Sequence, residues 1–155
     1  MRIRLAAVIA LAFLAACAAQ GATMAATIEV KGAWIRTPPP GAPTAAGYAT
    51  ITNRGISSDR LTGAYSGAAA SVGLHDMQKQ GGVMRMRPIA GGLAIGASAS
   101  VALSPNGRHL MLTGLKHPLK AGEHVRVVLQ FQRAGDVPAD FVVRDAAGGM
   151  GGMRM

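Results

Sequence analysis

Between His75 and Met111 the chain repeats one small pattern three times: His75-Asp76-Met77, Met84-Arg85-Met86 and His109-Leu110-Met111. Each copy places two soft donors, imidazole or thioether, at i and i+2. On an extended strand alternate side chains share a face, so each pair presents two potential ligands together. Asp76, Arg85 and Leu110 then point the other way. Thioether sulfur is soft, polarisable and uncharged, and imidazole is borderline. Together they favour Cu(I) over Zn2+, Ca2+ or Mg2+, and no carboxylate has the parity to join them. One methionine alone is an ordinary core gap-filler, and one strand histidine is ordinarily just a hydrogen-bonded residue. The recurrence of the spacing sets this stretch apart.

The first two copies read as the arms of one hairpin. Gln78-Lys79-Gln80-Gly81-Gly82-Val83 lies between them, and its glycines supply the positive φ angles of a tight turn. A two-residue turn at Gln80-Gly81 sets Met77 opposite Met84 and His75 opposite Met86. A turn at Gly81-Gly82 moves the register but keeps all four on one face, because opposed residues share a face. A three-residue turn would break the parity.

The elements that must position these donors are short strands. Thr27 to Arg36 has apolar Ile28, Val30, Ala33 and Ile35, with Gly32 interrupting the alternation as a bulge would. Trp34 reads as a core or rim anchor. Thr37-Pro38-Pro39-Pro40-Gly41-Ala42-Pro43 is a stiff surface crossing. Further strands are expected over Ala46 to Asn53, Arg60 to Tyr65, Ala70 to Met77, Ser98 to Leu103, Arg108 to Leu115, Val125 to Gln132 and Val137 to Val143. Ser104-Pro105-Asn106-Gly107 marks a strong turn. Many short strands at close spacing predict an all-β sandwich or barrel, and no helix of ten or more residues is expected.

The chain begins as an export signal. Arg2 and Arg4 precede an unbroken apolar run, Leu5 to Ala16, too short to span a bilayer. Leu14-Ala15-Ala16-Cys17 resembles the bacterial lipobox, in which Cys17 becomes the lipid-modified first residue. Ala16-Cys17-Ala18 also fits an ordinary small-residue cleavage site, with Cys17 discarded. Residues 1–26 are thus expected to be signal and tether, and 27–145 the folded β-domain. Residues 146–155 form a flexible Gly/Met-rich tail whose Met150, Met153 and Met155 could gather Cu(I) as a weak auxiliary arm, or simply fray.

Cys17 is the only cysteine, so no intrachain disulfide forms and the domain stands on its core. It also lacks the thiolate that a blue-copper electron-transfer site requires. The formal net charge is +9, from 16 Lys+Arg and 7 Asp+Glu. With one Trp, two Tyr and three Phe, no basic–aromatic interleaving marks a stacking platform, and an exported protein is not expected to bind nucleic acid. The basic surface suits solubility, an anionic partner or a membrane face.

From about Ile28 to Arg144 the chain resembles the periplasmic PCuAC-type copper chaperones. The residues carrying this are Ala33-Trp34-Ile35-Arg36, the Pro-rich crossing, Ala46-Gly47-Tyr48, Asp59-Arg60-Leu61, Leu74-His75, Gly82 to Pro88, Gly91-Gly92-Leu93, His109-Leu110-Met111-Leu112 and Gly114-Leu115-Lys116. The family motif is a His, ten residues, a Met, a longer spacer and His-x-Met. Here ten residues separate His75 from Met86 and 22 separate Met86 from His109, one more than the family spacing, across Gly-rich and turn segments that tolerate insertion. The resemblance implies a cupredoxin-like Greek-key β-barrel or sandwich and one Cu(I) per domain, held by His75, Met86, His109 and Met111. It leaves Met77 and Met84 as apolar rim or as alternates that catch copper in transfer. On the residues themselves, His117 before Pro118 and His124 at a strand start read as solvated and outside the site, and Arg85, Arg87 and Arg108, alternating away from the donor face, read as solubilising charge. The resemblance implies delivery to a respiratory cytochrome oxidase copper centre, directly or through another assembly factor.

The expected function is carriage, not catalysis: one Cu(I) bound at an exposed edge and passed on by ligand exchange. A copper buffer or resistance protein without a dedicated recipient would carry the same site. A structural β-domain would use its methionines only for packing. An enzyme is not expected, since no Ser/His/Asp set, paired carboxylates or cysteine nucleophile stands in the domain. Intact mass of the protein recovered from cells tests the first step. A lipid-modified Cys17 at the mature N-terminus is the lipobox outcome, and a chain beginning beyond Cys17 is the ordinary-signal outcome.

Overall fold

A computed structural model describes residues 27–145; the signal, tether and Met-rich tail expected from sequence lie outside them. Ten strands follow in order: β1 (Ile28–Arg36), β2 (Thr44–Asn53), β3 (Asp59–Ser66), β4 (Ala69–Gln80), β5 (Val83–Pro88), β6 (Leu93–Ile95), β7 (Ser100–Ala102), β8 (His109–Leu115), β9 (His124–Phe131) and β10 (Gly135–Arg144). No helix occurs among the described residues. Each expected strand is found within a few residues of its sequence bounds. β6 was not anticipated, because three residues between Gly92 and Gly96 are too few to show a period.

The strands form one closed, cupredoxin-like barrel. β4, β8, β2, β1, β10, β9 and β3 neighbour one another in that order, and Ala64 opposite Val72 joins β3 back to β4. Only β1 and β10 pair in parallel. β5 hangs on β4 as an outer strand, β6 pairs with β3, and β7 with β2. Closure leaves few unpaired backbone edges, and β5 is the one that bears on function.

Alternation builds the core. Val125, Val127, Leu129 and Phe131 of β9 point inward with Val72 and Leu74 of β4 and Leu110 and Leu112 of β8. Each such side chain contributes about 1.5–3 kcal/mol on full burial. The intervening residues of β4 and β8 (Gly73, His75, Met77, His109, Met111) must therefore lie on the outer face.

The bulge expected at Gly32 decides what β1 shows. Lys31 pairs with Thr50 and Trp34 with Tyr48, so β1 advances three residues while β2 advances two. Gly32 sits at φ +60°, a conformation that favours glycine. The inward parity thereby switches from Ile28 and Val30 to Ala33 and Ile35, all of which face the core. Without it, Ile35 would face out and Trp34 in.

Asp59 closes the far side. Its Oδ1 accepts from the backbone N–H of Arg60 at 2.7 Å and of Arg133 at 2.8 Å, and its Oδ2 from Ala134 at 2.9 Å. Burial alone would raise its pKa, but the three donors outweigh it and hold the carboxyl below the usual carboxylate range. Asp59→Ala orphans these donors and should lower stability by about 2–4 kcal/mol in urea unfolding near neutral pH. Because the folded pKa is depressed, this contribution is whole above the unfolded value of about 3.9 and fades as pH falls through the folded one. The gap between wild type and variant should accordingly shrink in strong acid.

Candidate metal centre

The site is assembled by the register of three neighbouring strands. β4 and β8 pair so that His75 lies directly opposite His109 and Gly73 opposite Met111. The two imidazole rings stand 5.9 Å apart between centroids, tilted 57°. Leu74 and Leu110, one residue along on each strand, face the core, so the donors share the outer face.

The hairpin turns at Gly81-Gly82, not Gln80-Gly81. Both glycines have positive φ, +60° and +80°, as a type I′ turn requires. The resulting register sets Met77 opposite Met86, Lys79 opposite Met84 and His75 opposite Pro88. The pairing of His75 with Met86 and Met77 with Met84 does not occur, but the parity is kept. His75, Met77, Met84 and Met86 share a face, and with them His109 and Met111. Asp76 lies opposite Arg87 on the other side of the ribbon.

Gly73 and Tyr48 belong to the site without having been read from sequence. A Cβ at Gly73 would stand 3.2 Å from His75 Nε2, so the ring leans back over this glycine, toward the register position of Met111. A glycine two residues before a candidate ligand, inside a strand, is the signal of such close approach. Tyr48 of β2 packs beside His109 with 6.4 Å between ring centroids. Trp34 backs Tyr48 at 4.7 Å, and the Arg144 guanidinium lies 5.4 Å over the Trp34 ring. A row of rings, Trp34, Tyr48, His109 and His75, thus runs across four adjacent strands and ends at the two imidazoles.

This row makes the site only half open. His109 is 4% exposed, His75, Met77 and Met111 are half-buried, and Met86 remains 46% exposed. The imidazoles therefore do not sit at an exposed edge as expected; only the β5 methionines do. Met111 also borders an open cleft of about 450 Å³, lined in part by Thr37, Pro38 and Ala46.

The ring nitrogens are poised differently. His109 Nδ1 lies 3.0 Å from the Gly107 carbonyl, which can only accept, so Nδ1 carries the proton and Nε2 keeps its lone pair free. His75 Nδ1 is buried with no hydrogen-bond partner. Burial, and then the neighbouring His109, push the His75 pKa below the ordinary histidine value. Imidazole lone pairs beside uncharged thioethers suit a soft, low-charge metal ion. Among the described residues no three His, Cys, Asp or Glu side chains stand together as a metal cluster. His117 pairs with Glu123 at 2.8 Å and His124 opens β9 opposite Val142, so neither joins the set.

Residues 28–143 match the family described as "Putative lipoprotein LpqE-like". A relative from Leifsonia xyli subsp. xyli, "Putative lipoprotein Lxx21020", is 33% identical over 121 residues, covering 78% of this chain and 72% of that protein. The fold is similar to the Cu(I)-bound solution structure of DR1885 from Deinococcus radiodurans, at TM-score 0.61 and 31% identity over 82% of this chain and 84% of that one. Its apo form matches with TM-score 0.61 and 30% identity over 97% and 100% of the two chains. The copper-bound PCuAC domain from PmoF2 has the same fold at TM-score 0.64 and 24% identity, over 77% and 93%.

The depressed His75 pKa has a consequence for the apo protein. Above the unfolded value of about 6.5 both states hold the imidazole neutral and His75 has no pH effect. As pH falls from there through the folded value, the unfolded chain takes up more proton and stability drops. Thermal unfolding of wild type and His75→Gln between pH 8 and pH 5 should show the wild type losing more Tm.

Proposed function

The chain belongs to the LpqE-like family of PCuAC-type domains, and on that premise we propose that it is an exported carrier of Cu(I). In this reading His75, Met86, His109 and Met111 hold one ion. The observation that carries it is the direct opposition of His75 and His109, with Met111 and Met86 on the same outer face and no carboxylate of that parity. Two imidazoles and two thioethers form a soft, neutral donor set suited to Cu(I). The only cysteine, Cys17, lies outside the described domain, so no thiolate converts the site to an electron-transfer centre.

Exposure divides the labour. The buried His109, its tautomer set by Gly107, and the Gly73-seated His75 supply a rigid half. Met86, on an outer strand, is the ligand a recipient can displace first. Thioethers bind and leave without proton transfer, so exchange needs no acid or base. The recipient we propose is a respiratory cytochrome oxidase copper domain or another assembly factor, with Cys17 as the membrane anchor that holds the carrier near it. The partly exposed Met86 favours delivery over storage, and metal transfer to an apo oxidase copper domain distinguishes the two.

Cu(I) titration against a colorimetric chelator under reducing conditions tests the ligands. Met86→Ala and His109→Ala should each weaken binding by about tenfold or more. An affinity indifferent to both substitutions would refute the assignment. Imidazole must be neutral to bind, so affinity should fall with acid. The low His75 pKa places its part of that loss at lower pH than an unperturbed histidine would give.

A further inference from the structure

The carrier site leaves part of the soft-donor face unused. Met77, Met84 and Met86 all lie on one side of the β4–β5 hairpin. Counting from the two-residue turn, Gln80 and Val83 form the hydrogen-bonded closing pair, and the alternation continues through Gln78 with Arg85 and Asp76 with Arg87. The next such rung is seen directly, Ile89 N–H donating to the Leu74 carbonyl at 2.9 Å. Met77 and Met86 therefore oppose each other at a non-hydrogen-bonded rung, where side chains approach most closely. Met84 is the diagonal neighbour of Met77 and the i+2 neighbour of Met86, within reach of long side chains.

These methionines are oddly placed for packing. Met84 and Met86 are each 46% exposed and the adjoining Val83 57%, whereas the barrel core is built without them. An outer strand with every residue exposed normally carries polar side chains on its free face. Here it carries thioethers, and the only charge of the same parity at this end is Lys79. That residue is exposed, and its long stem lets the ammonium extend into water.

Resting on the carrier reading, we propose that Met77, Met84 and Met86 form a second, all-thioether Cu(I) station at the hairpin tip, through which copper enters and leaves the His75/His109 site. Met86 belongs to both sets. An ion held by three sulfurs moves inward as imidazole lone pairs and the Met111 sulfur replace those of Met77 and Met84, while Met86 stays bound. The copper remains Cu(I), no electron moves, and no proton is released because the imidazoles bind in their neutral form. Three thioethers bind more weakly than the mixed set but are indifferent to acid over the range in which histidine protonates.

The test uses the full chain with His75 and His109 both changed to Ala, loaded with Cu(I) from a chelator at pH 7 and at pH 5. The double variant should still bind Cu(I), more weakly than wild type, with an X-ray absorption spectrum of sulfur neighbours only and little change between the two pH values. Adding Met77→Leu and Met84→Leu, which keep volume and remove sulfur, should lower the residual affinity by about tenfold or more. Met150, Met153 and Met155 are changed to Leu in every protein compared, so that the tail supplies no thioether to the residual binding. Residual affinity unchanged by the leucine substitutions, or none to begin with, overturns the second station while leaving the carrier reading intact. A wild-type protein that does not bind Cu(I) overturns both.

Discussion

Antiparallel pairing of β4 with β8 is the constraint on which everything else rests. Register in a sheet is pinned wherever one face is buried, because a one-residue slip exchanges the faces. Here the buried face holds Val72, Leu74, Leu110 and Leu112. Shifting either strand by one position would drive these into water and carry imidazole and thioether into the core. The burial of four aliphatic side chains thus fixes the parity that turns imidazole and thioether outward, and within that parity the observed register sets His75 against His109 and Gly73 against Met111. The site needs no dedicated scaffold, since it is the other side of the barrel's own core.

The outer face is prepared in the same economical way. One extra residue at Gly32 turns Ile35 inward and Trp34 outward, where it stacks on Tyr48, which in turn packs beside His109. That row shelters the imidazoles from water. Shelter has two effects: it orients the rings, and it disfavours the charged form of His75, whose pKa is lowered. Both favour a neutral nitrogen donor ready for a soft cation. The bulge, three strands from β4, therefore bears on the chemistry through contact, not through any ligand of its own.

The sheltered wall ends at the hairpin. β5 pairs with β4 alone and is exposed along its whole length. A carrier must hold its cargo and also release it, and these needs conflict within a single uniform site. Dividing the donors between a sheltered wall and an open ribbon reconciles them, with Met86 at the boundary. The proposed division would give a use to the soft donors that continue past Met86 to Met84, where neither the core nor solubility calls for them.

The sequence alone determined a good deal of this. Alternation and turn residues marked nearly every barrel strand, Gly32 announced the bulge, and the i, i+2 spacing of His75, Met77, Met84, Met86, His109 and Met111 placed the donors on a common parity. These are local properties, settled by a two-residue period and by which residues tolerate positive φ. The sequence left open which glycines make the turn, and so whether Met77 or His75 opposes Met86. It missed β6, too short to show a period, and gave no sign that Tyr48 shelters His109; for the seat of His75 it offered only a strand glycine, Gly73, two residues before the ring. It suggested an exposed edge where the imidazoles are sheltered. Those outcomes depend on which strands become neighbours across long stretches of chain. Barrel closure decides that, through the collective burial of a core to which every strand contributes.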